Sequence, residues 1–560
     1  MKRSNVQNMQ ITNLKVSEPK RVGSRKVKAV ISFEPRTSAF DTGNERTGKN
    51  EFRGFFTLFW ISLFLLTVQG YISSYERHGY PLSLAFASMF SRHALTLAIS
   101  DAVLVGTTGL SVLFVKALQK RWIRYYYTGI IIQHGFQTLM LATAVTWTFN
   151  RQWPWVQSGF FTLHSLVMVM KVHSYCAVNG YLSDVYFKLE SAEKQLRAAA
   201  DEVAGNYDAA LVQARANQLP SPPLADFTEN FTGMHTPDSI ATDSVSVNGS
   251  TPHQAFLDAP SATALRNRLL QHANGIANTP VQLVEEDEKR KPFEHPLLHH
   301  SDPKISQLAA KITEYESELT SSGPVKHVRW PENVSLADFA DYQLIPTLVY
   351  ELAFPRTDRI RPLYVAEKTV ATMGTFALLY TVTDQMIMPL IPAPGSSQPF
   401  WRSLLDLALP FMLAYLLLFY IMFECICNGF AELSRFADRQ FYEDFWNSTS
   451  QDEFARKWNR PVHLFLLRHV YASTMAEYKL SKHGATLVTF LLSACVHELV
   501  MIVVTKKIRM YLFGMQMAQI PLIALGRIPA IKRNKILGNI VFWFGLMAGF
   551  PLLCVGYCTY

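Results

Sequence analysis

The sequence predicts an all-α, polytopic membrane protein with about nine transmembrane helices. Long apolar runs alternate with strongly polar segments along the 560 residues, of which 49% are hydrophobic and 12% aromatic. This alternation leaves a mean hydropathy of only +0.08, which is typical of membrane spans joined by large extramembrane segments. Each run has roughly the 20 residues that a helix needs to cross the hydrocarbon core.

The candidate spans follow one another in two groups separated by a long polar segment. The eighth is the weakest and could be a re-entrant or interfacial helix, because the basic stretch 506–509 before it would otherwise be lumenal. The fourth carries His164, Lys171 and His173, which are too polar for a lipid-facing helix, so we place it inside the bundle. The spans are centred on 54–74, 94–116, 125–149, 155–181, 368–392, 401–427, 484–505, 509–526 and 536–558.

The distribution of basic residues predicts the orientation and the domain organisation. Residues 1–53 form a basic tail that we expect to be cytosolic and disordered, followed by spans one to four over 54–181. Residues 182–363 are predicted to be cytosolic, with a disordered insert rich in Pro, Ser, Thr and Asp at 218–302. Spans five to nine and the catalytic core occupy 364–560.

The charge and the cysteines exclude several classes of protein. The net charge of +9 is spread along the chain, and no nucleic-acid-binding motif accompanies it, so it indicates a membrane surface or a polyanionic ligand. The six cysteines lie in or beside apolar runs and match neither a disulfide framework nor zinc spacing. A P-loop, a GxSxG nucleophile elbow and a strand-linked GxGxxG are all missing from the sequence.

The most informative residue is His497, in the apolar run GATLVTFLLSACVHELVMIVVT of residues 484–505. A titratable side chain at membrane depth is costly unless it lines a cavity enclosed by protein, so it indicates function. A neutral imidazole there can act as a general base on a lipid-soluble substrate. The alternative is a core histidine that is hydrogen bonded to a neighbouring helix. Glu498 lies about 100° around the helix from His497, so we expect it to pair with another helix instead.

The polar stretch 428–483 contains the other candidate groups. The segment FYEDFWN at 441–447 suits interfacial anchoring, although it could also shape a cytosolic entry to a site in the bundle. Asn459 could donate a hydrogen bond to a developing oxyanion, or it could cap the helix that follows Pro461. We interpret His463 and His469 as interfacial rather than catalytic.

One base, a few hydrogen-bond donors and a hydrophobic enclosure suit a particular reaction. They favour direct transfer of an activated acyl group to a hydroxyl, without a covalent enzyme intermediate, in a reaction chamber enclosed by the transmembrane helices. A proton-coupled transporter that uses His497 and Glu498 as a relay is the alternative from another class. The sequence has no obvious repeated halves with broken helices, which counts against a transporter.

Several motifs resemble one family. FYEDFWN is similar to the FYxDWWN signature of the acyl-CoA:sterol and acyl-CoA:diacylglycerol branch of the membrane-bound O-acyltransferases. The His-Glu pair in an apolar span, an Asn after a Trp, and PTLVYELAFPRT at 346–357 also follow that branch. FADRQFYEDFWN, CVHELVM and LGNIVFWFGLMAGFPLLC look most like fungal sterol O-acyltransferases. The resemblance covers 340–560 well and the first four spans loosely.

The resemblance implies transfer of a fatty acyl group from acyl-CoA to the 3-hydroxyl of a sterol, with diacylglycerol as the alternative acceptor. A catalytically silent regulatory relative is a further possibility. The resemblance also implies that His497 is the catalytic base and Asn459 its partner. It further implies that the reaction needs no metal and no cofactor besides the co-substrate acyl-CoA. Residues implied to contact acyl-CoA are Tyr471, Lys482, Ser493, Arg456 and Trp458, and the signature residues are Phe441, Tyr442, Asp444, Trp446 and Asn447.

The same resemblance implies a homo-oligomer, dimer or tetramer, in the endoplasmic reticulum membrane. The sequence departs from the signature at one position, where Phe445 replaces the first Trp. Phenylalanine keeps an aromatic ring and loses the indole N–H donor, so we expect a packing role at this position.

Overall fold

A computed structural model of the protein describes residues 33–41, 44, 53–82, 91–217, 294–321, 328–393, 398–526, 528–529 and 533–559. The described chain is helical, and its β-pairing is limited to three isolated bridges. Before residue 320 the α-helices are α1 (Arg53–His78), α2 (Ala94–Thr108), α3 (Leu110–Gln119), α4 (Ile130–Asn150), α5 (Trp155–Ala204), α6 (Tyr207–Asn217) and α7 (Pro303–Leu319).

The later helices include short segments separated by π-turns. They are α8 (Leu336–Leu344), α9 (Pro362–Val382), α10 (Phe400–Phe419), α11 (Cys427–Leu433), α12 (Gln451–Trp458), α13 (Arg460–Phe465), α14 (Ser473–Glu477), α15 (Lys482–Thr505), α16 (Tyr511–Gly526) and α17 (Lys535–Thr559). The π-helical segments, each called a π-turn below, are Tyr125–Gly129, Thr383–Ile387, Tyr420–Ile426 and Leu466–Ala472.

Five described helices are long and apolar enough to cross a membrane. They lie within α1, α2 with α3, α10 to α11, α15, and α17. The all-α prediction is confirmed, and every predicted span is helical over most of its length. The predicted number of about nine crossings is not confirmed, because α4, α5 and α9 are less apolar or more charged and α16 has only 16 residues.

The polar fourth span lies inside the bundle, as predicted. Lys171 on α5 is 4% exposed, and its ammonium donates hydrogen bonds to the carbonyls of Tyr342 (2.8 Å), Gln343 (3.2 Å) and Ile345 (2.8 Å). These carbonyls are at the C-terminal end of α8, where unpaired oxygens and the helix dipole favour a cation. The buried lysine therefore holds the segment after α8 against α5.

Helix α5 also continues further than the predicted span. It is 50 residues long, so the fourth span and the helical pattern that follows it form one element. The predicted boundary at residue 181 thus falls within a helix. Of the predicted disordered insert, residues 218–293 lie outside the described residues, while Pro296–His299 form a 3₁₀ turn.

The described residues within 192–313 form a compact unit distinct from the rest of the chain. The unit contains the end of α5, then α6 and the beginning of α7. Its interior includes Ala210, Ala214, Leu297 and Ile305, all 0% exposed.

Residues 33–41, which fall within the tail predicted to be disordered, are ordered and pack within the larger unit. Arg36 donates its backbone N–H to the carbonyl of Ala437 and accepts from the N–H of Arg439, at 2.9 Å in each case. Ser38 and Asp41 are 1% and 2% exposed. This part of the chain is therefore held by β-like pairing, while residues 1–32 lie outside the described residues.

Close packing of α17 against the signature region leads to a prediction at Gly538. A Cβ at this position would lie 2.8 Å from the backbone oxygen of Thr449, which real Cβ atoms essentially never do. Gly538→Ala should therefore destabilise the protein by about 1–3 kcal/mol, since backbone must move. Thermal unfolding in detergent measures this, with Gly514→Ala on α16, where a Cβ meets no atom within 4 Å, as the control. Equal midpoints for the two variants would contradict the prediction.

Candidate active site

His497 lies on α15, and its hydrogen bond defines which ring nitrogen can act as a base. Nδ1 is 2.7 Å from the backbone oxygen of Ser493 and 3.4 Å from its Oγ. A carbonyl oxygen only accepts, so Nδ1 carries the proton in the neutral ring and Nε2 keeps the lone pair. Ser493, predicted to line the acyl-CoA path, is thus brought into contact with His497.

His497 lies on the same side of α15 as Val504, a residue that contacts α5. Val504 lies seven residues after His497, which is about 20° around the helix. A Cβ on Gly159 of α5 would lie 3.3 Å from Val504 Cγ2, so the two helices touch there. The His497 side chain itself is exposed, because the described helices leave this position of α15 uncovered, so the predicted enclosure of the base in a reaction chamber is not confirmed.

Asn459 caps the N-terminus of α13. Its Oδ1 accepts a hydrogen bond from the backbone N–H of Val462 at 3.2 Å. Within the described ranges, its Nδ2 group donates to no other residue, so two N–H donors are available at a fixed position. The capping interpretation is therefore confirmed, and the cap leaves the amide free to donate to a ligand.

Asn459 and His497 lie on the two arms of a helical hairpin. Its first arm is the continuous helical stretch 460–477, and its second arm is α15. Asn459 lies 18 residues before Glu477, the end of the first arm, and His497 lies 15 residues after Lys482, the start of the second. Contacts between the arms are concentrated at 466–477, nearer the turn.

Helix α5 contacts both arms of this hairpin. Leu464 and Phe465 of α13 belong to a hydrophobic cluster against which Val167 and Met170 of α5 pack. Together with the Gly159 contact to α15, this places α5 against both α13 and α15. Two of these three helices carry the proposed base and the proposed donor.

Glu498 has a structural role distinct from that of His497. Its carboxylate is 2% exposed and accepts hydrogen bonds from the backbone N–H groups of Met510 (2.9 Å) and Phe513 (3.0 Å) at the start of α16. The hydroxyl of Tyr557 on α17 also donates to it, at 3.0 Å. The expectation that Glu498 pairs with another helix is confirmed, and it joins three helices.

The signature segment 441–447 is paired with the end of α12. The N–H of Glu443 donates to the carbonyl of Lys457 at 2.9 Å, and the N–H of Arg460 donates to the carbonyl of Phe441 at 3.0 Å. Asp444 pairs with the Lys457 ammonium at 2.9 Å and accepts from Asn447 Nδ2 at 3.3 Å.

The last helix holds the other end of the signature. Asn539 Nδ2 and Trp543 Nε1 on α17 donate to the carbonyl of Trp446 at 3.0 Å and 3.1 Å. The signature therefore connects α12 to α17 rather than serving only as an interfacial anchor.

Trp458 lies within an aromatic cluster. Its ring is stacked on Tyr415 at 4.6 Å and contacts Phe419 at 4.6 Å and Phe445 at 4.8 Å. Phe445 is 2% exposed, in agreement with the packing role expected at this position. The Trp458 indole is thus committed largely to packing.

Charges on α12 are paired within the helix and with the signature. Arg456 is exposed and pairs with Asp452 at 2.5 Å. Burial acts to raise the pKa of Glu453, but hydrogen bonds from Lys457 and Thr449 outweigh it and lower the pKa. Burial likewise acts to lower the pKa of Lys457, but its partners Glu453 and Asp444 raise it. Both groups are therefore held in their charged forms.

The remaining predicted acyl-CoA residues are not brought into contact with His497. Tyr471 is half-buried in the π-turn Leu466–Ala472, and Lys482 is an exposed residue at the beginning of α15. In the described part of the chain, no hydrogen bond or ion pair joins them or Arg456 to His497. Their assignment to the acyl-CoA path stays a prediction.

Sequence reasoning missed a buried ion pair between Lys368 on α9 and Glu424 in the π-turn Tyr420–Ile426. Lys368 Nζ is 2.9 Å from Glu424 Oε1, and the two residues are 3% and 0% exposed. Both lie within predicted spans, so the argument that singled out His497 also applied to them. A second missed pair joins Asp101 on α2 to His164 on α5, at 2.5 Å.

Comparison with known proteins identifies the family. Residues 262–559 match the family model described as MBOAT, membrane-bound O-acyltransferase family. The chain is 32% identical over 536 residues to a probable sterol O-acyltransferase 1 of Schizosaccharomyces pombe, covering 94% of this chain and 86% of that protein. It is 31% identical to sterol O-acyltransferase 2 of Candida albicans, covering 95% of this chain and 78% of that protein.

A more local similarity also exists. A diacylglycerol O-acyltransferase 1 of Dictyostelium discoideum is 35% identical over 236 residues, which is 41% of this chain and 37% of that protein. These matches, with the five long apolar helices, make the chain a multi-pass membrane protein and confirm the resemblance seen in FYEDFWN and the His-Glu pair. The chain belongs to the membrane-bound O-acyltransferase family.

Proposed function

We propose that the protein transfers a fatty acyl group from acyl-CoA to the 3-hydroxyl of a sterol, giving a sterol ester for storage. Similarity to sterol O-acyltransferases over at least nine-tenths of the chain supports the acceptor. The geometry that supports the chemistry is the Nδ1–H donation from His497 to Ser493, because it leaves Nε2 as an acceptor for a hydroxyl proton.

The proposed reaction is a single acyl transfer. Nε2 of His497 takes the proton of the sterol hydroxyl as that oxygen attacks the thioester carbonyl. The tetrahedral oxyanion accepts a hydrogen bond from Asn459 Nδ2, since the cap at Val462 holds this amide in place. The carbon–sulfur bond then breaks, and the imidazolium returns the proton to the departing CoA thiolate. No covalent enzyme intermediate and no metal or further cofactor take part in this scheme.

The route of acyl-CoA is also a proposal. We assign its headgroup to the cytosolic mouth near Arg456 and place Lys482 along the acyl-CoA path, because the exposed cationic groups of both residues suit phosphates. Tyr471 and Ser493 would follow the acyl-CoA path toward His497. Trp458 would act indirectly, by packing behind Asn459.

Diacylglycerol is the second candidate acceptor. The local 35% identity to a diacylglycerol O-acyltransferase favours it. That similarity spans 41% of the chain, whereas the two sterol O-acyltransferases compared above match over 94% and 95% of it. The family match is to acyltransferases, so it favours acyl transfer over transport, the alternative from another class.

An acceptor comparison tests the proposal. Purified protein is incubated with labelled oleoyl-CoA and either a sterol or diacylglycerol, and labelled ester and free CoA are quantified. We expect sterol ester, with one CoA released for each ester formed. Triacylglycerol as the main product would transfer the proposal to the second acceptor. Flux of a solute without CoA release would reject acyl transfer altogether.

Location and assembly complete the proposal. We place the protein in the endoplasmic reticulum membrane with a cytosolic N-terminus, because the basic N-terminal stretch favours that side. We further propose a homo-oligomer, dimer or tetramer, on the resemblance to its family.

A further inference from the structure

The buried carboxylate of Glu424 is a convergence point for four side chains. Its Oε1 accepts from Lys368 Nζ at 2.9 Å, and its Oε2 accepts from the Tyr442 hydroxyl at 3.0 Å and from Asn428 Nδ2 at 3.3 Å. The hydroxyl of Ser38 also donates to Oε2. Each of these residues is 4% exposed or less. A buried carboxylate is tolerable only with such complete pairing.

Tyr442 connects this carboxylate to the signature segment. On either side of it along the chain, Phe441 and Glu443 make the backbone hydrogen bonds to Arg460 and Lys457. The hydroxyl of Tyr442 therefore fixes the residue that lies between these two backbone hydrogen bonds. Displacing this hydroxyl would displace both backbone contacts.

Asn459 lies between the two residues that these backbone hydrogen bonds hold. Lys457 is bound on one side and Arg460 on the other. Arg460 is further fixed by its guanidinium, which donates to the carbonyl of Gln440 at 2.8 Å and pairs with Asp438 at 3.2 Å. The backbone at Asn459 is thus set by the signature segment, and the cap to Val462 then sets the side chain.

We propose that Glu424 is a positioning residue for the amide of Asn459, acting through the Tyr442 hydroxyl and the signature segment. The proposal rests on the proposed function, in which Asn459 Nδ2 meets the oxyanion. A hydrogen-bond donor that moves by about 1 Å stabilises the transition state much less well. Loss of the contacts around Glu424 should therefore lower kcat. Lys368 neutralises the carboxylate without touching the reacting groups.

A double-mutant cycle between Tyr442 and Asn459 tests the coupling. Tyr442→Phe should lower kcat at least about tenfold, with little change in the KM for acyl-CoA, because the ring is kept and only the anchor is lost. In an Asn459→Ala background the same substitution should lower kcat less than about twofold, because the positioned group is already missing. Equal losses in both backgrounds would show that Tyr442 acts independently, and this would overturn the proposal.

A matched tyrosine provides the control. Tyr420 is in the same π-turn as Glu424, and its hydroxyl makes no hydrogen bond with a described residue, so Tyr420→Phe should leave kcat and KM unchanged. If Tyr442→Phe also left kcat unchanged, the positioning role would be wrong.

Two charge-balanced double variants keep the proposal testable if Tyr442→Phe does not fold. Lys368→Met with Glu424→Gln retains a carbonyl acceptor for the Tyr442 hydroxyl and should keep kcat near the wild-type value. Lys368→Met with Glu424→Leu has no acceptor and should lose at least about tenfold in kcat. Equal kcat values would overturn the proposal. If the two double variants have equal kcat values while His497→Ala is inactive, only the positioning role fails. If His497→Ala keeps its turnover, the proposed function fails.

Discussion

Replacing His497 with alanine is expected to lower sterol ester formation by about 10²–10⁴-fold, the range that a positioned general base contributes. The neutral ring presents Nε2 as its acceptor because Nδ1–H is held by the carbonyl of Ser493. Alanine removes the acceptor and leaves the hydroxyl proton without a local base. The measurement is the rate of labelled ester formation from acyl-CoA by purified protein, with Asn459→Ala for comparison.

The fold should tolerate this substitution. The described hydrogen bonds of the His497 side chain are made within α15, to Ser493, so no neighbouring helix loses a partner. The elution profile and the unfolding midpoint should match those of the wild type. Cys495→Ala, at an exposed position about 200° around the same helix, is the control and should keep its activity. A folded His497→Ala protein with near-normal turnover would remove this residue from the reaction.

Replacing Lys368 with methionine is expected to cost about 3–5 kcal/mol of stability, because it leaves the buried Glu424 carboxylate without its counter-charge. The ammonium and the carboxylate are both nearly inaccessible, so water cannot replace the lost partner. Thermal unfolding in detergent, or the fraction of protein that remains monodisperse after heating, measures the loss.

Two further variants define the origin of that loss. Adding Glu424→Gln to Lys368→Met removes the unpaired charge and should recover most of the stability. Lys188→Met makes the same chemical change in an exposed pair with Asp184, which should cost about 0–1 kcal/mol. Comparable losses for Lys368→Met and Lys188→Met would mean that the buried pair contributes no more than a surface pair.

The positions of the helices were predictable because apolar run length is a local property. Runs such as 484–505 and 536–558 closely match α15 and α17. Where the helices end was less predictable. α5 continues to Ala204 because the segment after the membrane span keeps residues of high helix propensity, and nothing local stops it.

The site was only partly predictable for a different reason. His497 and Asn459 could be singled out because each is unusual for its local setting. The partnership of Lys368 with Glu424 could not, because the two are 56 positions apart and meet only in the folded chain. Asn459 also shows that two interpretations can hold together, since one amide oxygen caps α13 while the nitrogen remains available.

The adjacent residues His497 and Glu498 have consequences for mutational scanning. The first bonds within its own helix, whereas the second fastens the beginning of α16 and the end of α17 to α15. A scan that records only ester yield would score both positions as intolerant for unrelated reasons. Recording protein abundance alongside yield would separate an intact but inert polypeptide from one that never assembled.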